Sequence, residues 1–239
     1  MAATLIVQGD HMTQADPSTP PDGFIQMIDD SNAFFAELRQ NNTKDWFNPR
    51  KDHYNTAIKK PAEFFADLLA EDFSRISGKP FKPKLFRIYR DVRFSKDKTP
   101  LNAHLHMMWS QAGDDSFAPF FFFGSEPGEM TVGFGIGGFK GETLTRFRAF
   151  VDRDGDDLAD LIDATGLHFS TWGAPPLKKV PKPYAEDHPH GDLLKRKNLI
   201  LSGRMDDTWR QAEGGLVKAV RSEFEKARPV MKLWEDRLA

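Results

Sequence analysis

The sequence FAPFFFFGSEPGEMTVGF, residues 117–134, decides the fold class. Two strand-like runs, Phe117–Phe123 and Glu129–Phe134, flank the turn-forming residues Gly124–Gly128. Runs of this length around a segment with glycine and proline are typical of a β-hairpin, here with a five-residue loop. Because successive strands joined by a short turn pair antiparallel, the stretch predicts an antiparallel sheet in the middle of the chain.

Further strands are predicted on both sides of this hairpin. The run Leu85–Phe94 is rich in aromatic and branched residues, His104–Ser110 is a second candidate, and Leu199–Leu201 adds a short strand. The sheet is therefore expected to have about four to six strands. Helical periodicity is found before and after it, at residues 30–41, 49–78, 142–150, 156–164 and 216–234. Helices, then strands, then helices indicate an α+β fold with the sheet packed against N-terminal and C-terminal helices.

We predict one α+β domain over residues 24–239, preceded by a tail of residues 1–23. The tail is expected to be mobile, because residues 13–23 contain three prolines and no periodic pattern. His11-Met12 is typical of a cloning junction, so residues 1–11 are interpreted as vector-derived.

The composition excludes several classes of function. The chain of 239 residues has no cysteine, which excludes disulfides, thiol nucleophiles and cysteine-ligated metals. No apolar run approaches the roughly 18 residues of a membrane span, so we expect no membrane partner and a cytoplasmic location. With 33 Lys+Arg against 35 Asp+Glu, any binding of anions must be local. The 21 phenylalanines predict a phenylalanine-rich core.

The strongest local anomaly is the segment 82–98, which carries seven cations and two carboxylates. Arginine forks suit carboxylate and phosphate groups, so the segment is a candidate anion-binding site. The candidate ligand-binding residues here are Arg87, Arg90, Arg93, Ser95, Lys96 and Lys98. An equally weighted alternative is a network of salt bridges that fixes the segment to a helix.

Alternation along the predicted strand assigns the arginines to different faces. Arg90 shares the parity of Phe86, Ile88 and Val92, so its guanidinium is expected to be buried and paired with a carboxylate. Asp91 and Asp97 are the first candidates for that partner. Arg93 has the opposite parity and is expected to face a ligand.

A second basic segment, residues 178–197, has six cations and three carboxylates. Asp187 and His188 are candidates for moving a proton in a catalytic step, and Lys195 is a candidate for the same anion site. The competing interpretation, slightly favoured, is that Asp187 or His188 caps a short helix around Leu193.

Three other motifs are given structural interpretations. Gly133, Gly135 and Gly138 match a dinucleotide fingerprint but lie on a hairpin strand, where close packing explains glycine better. The calcium-like run 152–157 has aspartate at its sixth position, where the loop needs glycine, and is interpreted as a helix start. His104-Leu-His106 and His188-Pro-His190 could share a metal, but scattered histidines are commoner. We therefore predict no metal and no cofactor.

Taken in order, several segments resemble the family of conserved proteins known as domain of unknown function 2461. They are FFAEL (34–38), NNTKDWF (41–47), FRIYRDVRFSKDKTP (86–100), PKPY (181–184), DHP (187–189) and LLKRK (193–197). Where the family usually has Tyr-Lys, this chain has Leu101-Asn102, which removes a phenol and a cation. The resemblance implies an α+β domain and no particular activity.

The best functional hypothesis is an enzyme or sensor that binds a small anion, a phosphate ester or carboxylate, through the basic segments. The alternative is a module that binds nucleic acid or another protein with the same cations as a flat strip. Neither hypothesis specifies an oligomeric state.

Overall fold

A six-stranded antiparallel sheet forms the centre of the structure. The computed structural model describes residues 24–112 and 118–238, and the predictions for the tail of residues 1–23 lie outside these ranges. The strands are β1 (Phe81–Leu85), β2 (Leu105–Gln111), β3 (Phe120–Glu126), β4 (Glu129–Ile136), β5 (His168–Phe169) and β6 (Leu199–Met205). Their order in the sheet is β1-β2-β3-β4-β6-β5, and every neighbouring pair is antiparallel.

Helices occupy both ends of the described chain. The N-terminal helices are α1 (Ile25–Gln40), α2 (Lys44–Phe47), α3 (Lys51–His53) and α4 (Lys60–Ser77), with a π-helical stretch at Tyr54–Lys59. The C-terminal helices are α5 (Gly141–Ala164), α6 (Gly191–Leu194) and α7 (Gly215–Leu238). This arrangement confirms the predicted α+β class, with a central antiparallel sheet and helices before and after the strands in chain order.

One face of the sheet packs against helices from both ends of the chain. Trp109 of β2 is fully buried, and its indole N–H donates to the carbonyl of Ala66 in α4 over 2.7 Å. Phe73 of α4 stacks on Phe224 of α7 with ring centroids 4.2 Å apart. Because both rings contact Phe121 of the sheet, one aromatic core joins the two helices to the same face of the sheet and confirms the predicted use of phenylalanine.

The opposite face of the sheet is partly covered by a single loop. Phe122 of β3 lies on this face, and Trp172, from the segment after β5, packs on it with ring centroids 4.5 Å apart. A Cβ on Gly133 would lie 2.3 Å from the Phe122 ring and 2.2 Å from the carbonyl oxygen of Leu201. Glycine is required at this position by close packing, which confirms the structural interpretation of this glycine in the apparent fingerprint.

The hairpin has a shorter turn than predicted. Gly124, Ser125 and Glu126 continue β3 and pair with β4, so that only Pro127 and Gly128 connect the strands. Gly128 has a φ of 82°, which glycine adopts without strain. The predicted five-residue loop was wrong because polar and glycine residues were interpreted as turn formers, although the Ser125 side chain is buried in the sheet.

The predicted strand Leu85–Phe94 was also wrong. Strand β1 ends at Leu85, and the following residues make only an isolated bridge between Tyr89 and Leu101. Phe86 is 41% exposed and Phe94 is 96% exposed, so the alternation of faces assumed for this run does not exist. Ion pairs between charged side chains within the segment hold its conformation instead.

The helix predictions hold with altered boundaries. The two helices expected around residues 142–150 and 156–164 are both present and follow each other within α5, separated by a kink at Asp154, whose φ of −120° and ψ of 24° are not helical. Pro229 lies inside α7. Within residues 24–112 and 118–238, no helix has both the length and the apolar character needed to cross a membrane.

Candidate functional site

The residues after β1 form an irregular loop, residues 86–100, called here the cationic loop. Its ends are held at the sheet edge by backbone hydrogen bonds, from Phe86 N to His106 O (2.9 Å) and from Arg90 N to Pro100 O (2.9 Å). Between these two contacts, the backbone N–H of Asn102 donates to the carbonyl of Ile88 over 2.7 Å. Both ends of the loop are therefore fixed, and the middle projects from the sheet.

Arg90 makes the ion pair predicted from the sequence. Its Nη1 donates to Asp97 Oδ2 over 2.7 Å, to the carbonyl of Thr99 over 3.0 Å, and to the Thr99 hydroxyl. The Arg90 side chain is 26% exposed, so it is half-buried and not enclosed in the core. Hydrogen bonds from Thr99, followed by the one from Arg90, hold the pKa of Asp97 well below its usual range. The partner was predicted correctly, although the strand that suggested it is absent.

Arg93 lies at the exposed tip of the cationic loop. Its Nε and Nη2 bind the two oxygens of Asp91 over 2.9 Å and 2.7 Å, and its side chain is 76% exposed. This hydrogen bonding lowers the pKa of Asp91. Lys98 donates from Nζ to the carbonyl of Val92 over 3.0 Å, and Ser95 donates its backbone N–H to the same carbonyl over 3.3 Å. The tip is thus organised by contacts within the loop.

The base of the cationic loop and the open face of the sheet border a solvent-open cavity of about 570 Å³, called here the aromatic cavity. The residues that line it are Phe86, Arg87, Tyr89, Arg90, Asp91, Asn102, His104, His106, Met108, Phe120, Phe122 and Trp172. Of the predicted ligand-binding residues, Arg87 and Arg90 line this cavity. Arg93, Ser95, Lys96, Lys98 and Lys195 are not among its lining residues.

Two histidines form part of the wall of the aromatic cavity. The rings of His104 and His106 are stacked, with centroids 3.7 Å apart and planes 17° from parallel. Nε2 of His106 lies 3.6 Å from Oε1 of Glu126, whose Oε2 receives a 2.5 Å hydrogen bond from Arg39. Burial, and then the neighbouring His104, lower the pKa of His106 to about 4, and burial also lowers the pKa of His104.

The second basic segment is fixed to α5 by a cluster called here the α5 clamp, formed by Asp152, Asp156, His188 and His190. Nε2 of His188 lies 3.1 Å from Asp152 Oδ1, and Nε2 of His190 lies 2.9 Å from Asp156 Oδ1. The ring of His190 occupies the space over Gly155, where a Cβ would lie 2.3 Å from it.

The α5 clamp bears on two interpretations of the sequence. Nε2 of His188 binds Asp152 on α5, while its Nδ1 accepts a 3.0 Å hydrogen bond from the backbone N–H of His190, the residue at the N-terminal cap position of α6. The calcium-like run 152–157 lies at the kink of α5, where the second helical part of this element begins after Asp154, in agreement with its interpretation as a helix start. The carboxylates of Asp152 and Asp156 in this run bind His188 and His190, respectively.

Within the described residues, the two histidine pairs lie at different sites and do not come together. His104 and His106 face the aromatic cavity, whereas His188 and His190 face α5. Lys195 pairs with Asp192 over 2.6 Å on α6, and Asp187 is exposed. None of residues 178–197 lines the aromatic cavity, so this cavity does not unite Arg90 with His188.

Sequence reasoning missed several residues that shape the site. Glu126 was placed in the hairpin turn, and Trp172 lies in a segment without recognisable periodicity. The alternation His104-Leu-His106 correctly indicated that both histidines face the same side of a strand. The register of β2 against β3, which brings Glu126 near this pair, could not be read from either strand alone.

Comparison with known proteins places the chain in a family. A search of the curated proteins gives no match. The family described as conserved hypothetical protein (DUF2461) matches residues 30–233. This range includes the cationic loop, the aromatic cavity and the α5 clamp, and it confirms the resemblance inferred from the motifs. The chain therefore belongs to the DUF2461 family of conserved hypothetical proteins.

Proposed function

We propose that this protein binds a small anion, a phosphate ester or a carboxylate that carries a flat apolar group, in the aromatic cavity. The observation that carries this proposal is the presence of two arginines and several aromatic rings around one cavity of about 570 Å³. Cavities of this size, mostly apolar with a few polar groups, are typical of small-molecule sites.

Arg87 is the residue best suited to capture the anion. Its side chain is exposed at the cavity, and no carboxylate within residues 24–112 and 118–238 lies at ion-pair distance from it. Arg90 supports this role from a fixed position, because its three hydrogen bonds all leave from Nη1. Its Nε and Nη2 groups are further donors, and a guanidinium can bind a carboxylate or phosphate with two parallel bonds.

The aromatic rings define the rest of the ligand. Phe86 and Tyr89 are 41% and 39% exposed, and Trp172 is 45% exposed, so three large rings face solvent at one cavity. Leaving such rings exposed is unfavourable unless a ligand covers them. A ligand with a flat apolar group would bury them while its charged end reaches Arg87.

A role for Asp187 and His188 in proton transfer is not part of this proposal. His188 is bound by Asp152, and no residue of 178–197 lines the aromatic cavity. The proposal is one of binding, and it leaves open whether the protein is an enzyme or a sensor.

The test is isothermal titration calorimetry with inorganic phosphate, phenyl phosphate and benzoate at low ionic strength. We expect phenyl phosphate or benzoate to bind more tightly than inorganic phosphate. Arg87→Ala should weaken this binding about tenfold or more, since a charge-assisted hydrogen bond contributes roughly 1.5–3 kcal/mol. Arg93→Ala is the matched control and should bind as the wild type does. Absence of binding by all three compounds, or equal losses in both variants, would overturn the proposal.

A nucleic-acid function is the second candidate, and the tip of the cationic loop favours it. Phe94 is 96% exposed beside Arg93, whose guanidinium lies 5.8 Å from the ring centroid. Exposed rings next to cations bind single-stranded nucleic acids by stacking and charge. This function predicts the reverse pattern, in which Phe94→Ala and Arg93→Ala weaken binding of a single-stranded oligonucleotide and Arg87→Ala does not.

A further inference from the structure

We propose that His104, His106 and Glu126 bind a divalent transition metal, with zinc as the best fit, at the wall of the aromatic cavity. Each residue offers one ligand atom, and these atoms lie within 4.8 Å of one another. Two imidazoles with one carboxylate form a ligand set that zinc uses in sites with an open position. This metal site was not predicted from the sequence and goes beyond the proposed binding of an anion.

The sheet places the three ligands by its register. His104 immediately precedes β2 and His106 is its second residue, and their stacked rings lie on the same side of the sheet. Leu105 pairs with Ser125 and His106 with Gly124, which brings Glu126, the last residue of β3, beside His104. The ligands therefore come from two paired strands and do not depend on a mobile loop.

Gly124 provides the space for the His106 ring. A Cβ at this position would lie 2.9 Å from Cδ2 and 3.0 Å from Nε2 of His106. The Cδ2–Nε2 edge of the imidazole thus lies over Gly124, with Nε2 3.6 Å from Oε1 of Glu126. A larger residue at 124 would move the ligand atom itself.

Arg39 fixes the carboxylate without occupying both of its oxygens. It binds Oε2 of Glu126 over 2.5 Å, whereas Oε1 faces His106 at 3.6 Å. A carboxylate that binds a metal through one oxygen while an outer partner holds the other is well oriented for ligation. The ion pair with Arg39 is therefore compatible with a metal on Oε1.

The distances require only a small rearrangement. With bonds of about 2.1 Å, tetrahedral zinc holds its ligand atoms roughly 3.4 Å apart. The 3.6 Å separation of His106 Nε2 and Glu126 Oε1 is already close to this value. The stacked ring of His104 must turn so that its nitrogen converges on the same point. The fourth position then faces the aromatic cavity, because both histidines line it.

The test uses the full chain, freed of metal with a chelator and then titrated with Co²⁺. A protein site with nitrogen and oxygen ligands gives Co²⁺ visible absorption that Zn²⁺ displaces. We expect one equivalent of Co²⁺ to bind. His106→Ala and Glu126→Gln should each weaken binding at least tenfold, and thermal melting should verify that both variants are folded.

The matched control is His188→Gln combined with His190→Gln, which removes the other histidine pair and should leave Co²⁺ binding unchanged. Arg87→Ala should also bind Co²⁺ normally, so a failure of the anion proposal and a failure of the metal proposal give different results. The metal proposal is overturned if Co²⁺ gives no saturable signal. It is also overturned if Glu126→Gln, the variant that best preserves the contact with Arg39, binds Co²⁺ as tightly as the wild type.

Discussion

The chain contains two His-x-His pairs that the fold uses in different ways. His104 and His106 stack on each other, share one carboxylate and face a cavity. In the α5 clamp, each histidine has its own aspartate, and the ring centroids of His188 and His190 are 5.9 Å apart. The comparison shows that the neighbouring element decides the role of such a pair. For His104 and His106, the paired strand β3 supplies one carboxylate, that of Glu126, to both rings. For His188 and His190, helix α5 supplies two carboxylates, Asp152 and Asp156, so that each ring has its own.

The largest expected effect that tests this difference is a dependence of stability on pH. Because the pKa of His106 is lowered to about 4, the unfolded chain, with an ordinary value near 6.5, binds a proton more readily than the folded protein does. The contribution of this group to stability is complete above pH 6.5 and is lost as the pH falls towards 4, by roughly 3 kcal/mol.

Urea unfolding in the presence of a chelator, at several pH values between 4 and 7.5, measures this effect. His106→Gln should lose less stability than the wild type over the range from pH 6.5 to 4. His188→Gln is the matched control in the other pair, and it should retain the contribution of His106. Equal pH profiles for the wild type and His106→Gln would contradict the lowered pKa.

The next effect concerns the glycine that packs against one histidine of each pair, Gly124 against His106 and Gly155 against His190. A Cβ on Gly155 would lie 2.3 Å from Cδ2 and 2.7 Å from Cγ of His190, so the whole ring must move. On Gly124, a Cβ would lie 2.9 Å from Cδ2, 3.0 Å from Nε2 and 3.9 Å from Cγ of His106, so the contacts are longer and involve one edge of the ring. We expect Gly155→Ala to lower the free energy of unfolding by about 2 kcal/mol, even though alanine favours helix, and Gly124→Ala to lower it by less than about 1 kcal/mol.

Thermal melting of both glycine variants, together with a Co²⁺ titration, separates stability from ligation. Only Gly124→Ala should change the absorption of bound cobalt, because only that substitution displaces a proposed ligand. If Gly155→Ala altered cobalt binding and Gly124→Ala did not, the assignment of roles to the two pairs would be reversed.

The sequence indicated which residues these regions contain better than it indicated which of those residues come into contact. The alternation of His104 and His106 indicated a shared face, and the aspartates at 152 and 156 were noticed as a charged run. Neither observation could show that Asp152 meets His188, because 36 residues separate them and no local periodicity links a helix to a proline-rich loop. The family of the chain was recognised from several motifs taken in order, of which FRIYRDVRFSKDKTP is the longest, although the first part of that motif was interpreted as a strand.

The cationic loop shows why that interpretation failed. Its aromatic and branched residues have strand propensity, but propensity reflects packing on a half-buried surface. Here Arg93 binds Asp91 and Arg90 binds Asp97, so the charged side chains close the backbone into a loop. A pairing rule based on buried charge therefore identified the partner of Arg90 even though the secondary structure was different.

The smallest predicted effect compares these two arginines, one in the wall of the aromatic cavity and one outside it. Arg90 joins Asp97 to both the carbonyl and the hydroxyl of Thr99 and is 26% exposed, so Arg90→Ala should lower the free energy of unfolding by about 1 kcal/mol. Arg93 is 76% exposed and forms its ion pair with the near neighbour Asp91, so Arg93→Ala should cost less than about 0.5 kcal/mol. Urea unfolding at pH 7.5 measures both values. A larger loss for Arg93→Ala than for Arg90→Ala would mean that the tip of the loop, and not its base at the cavity, supports the fold.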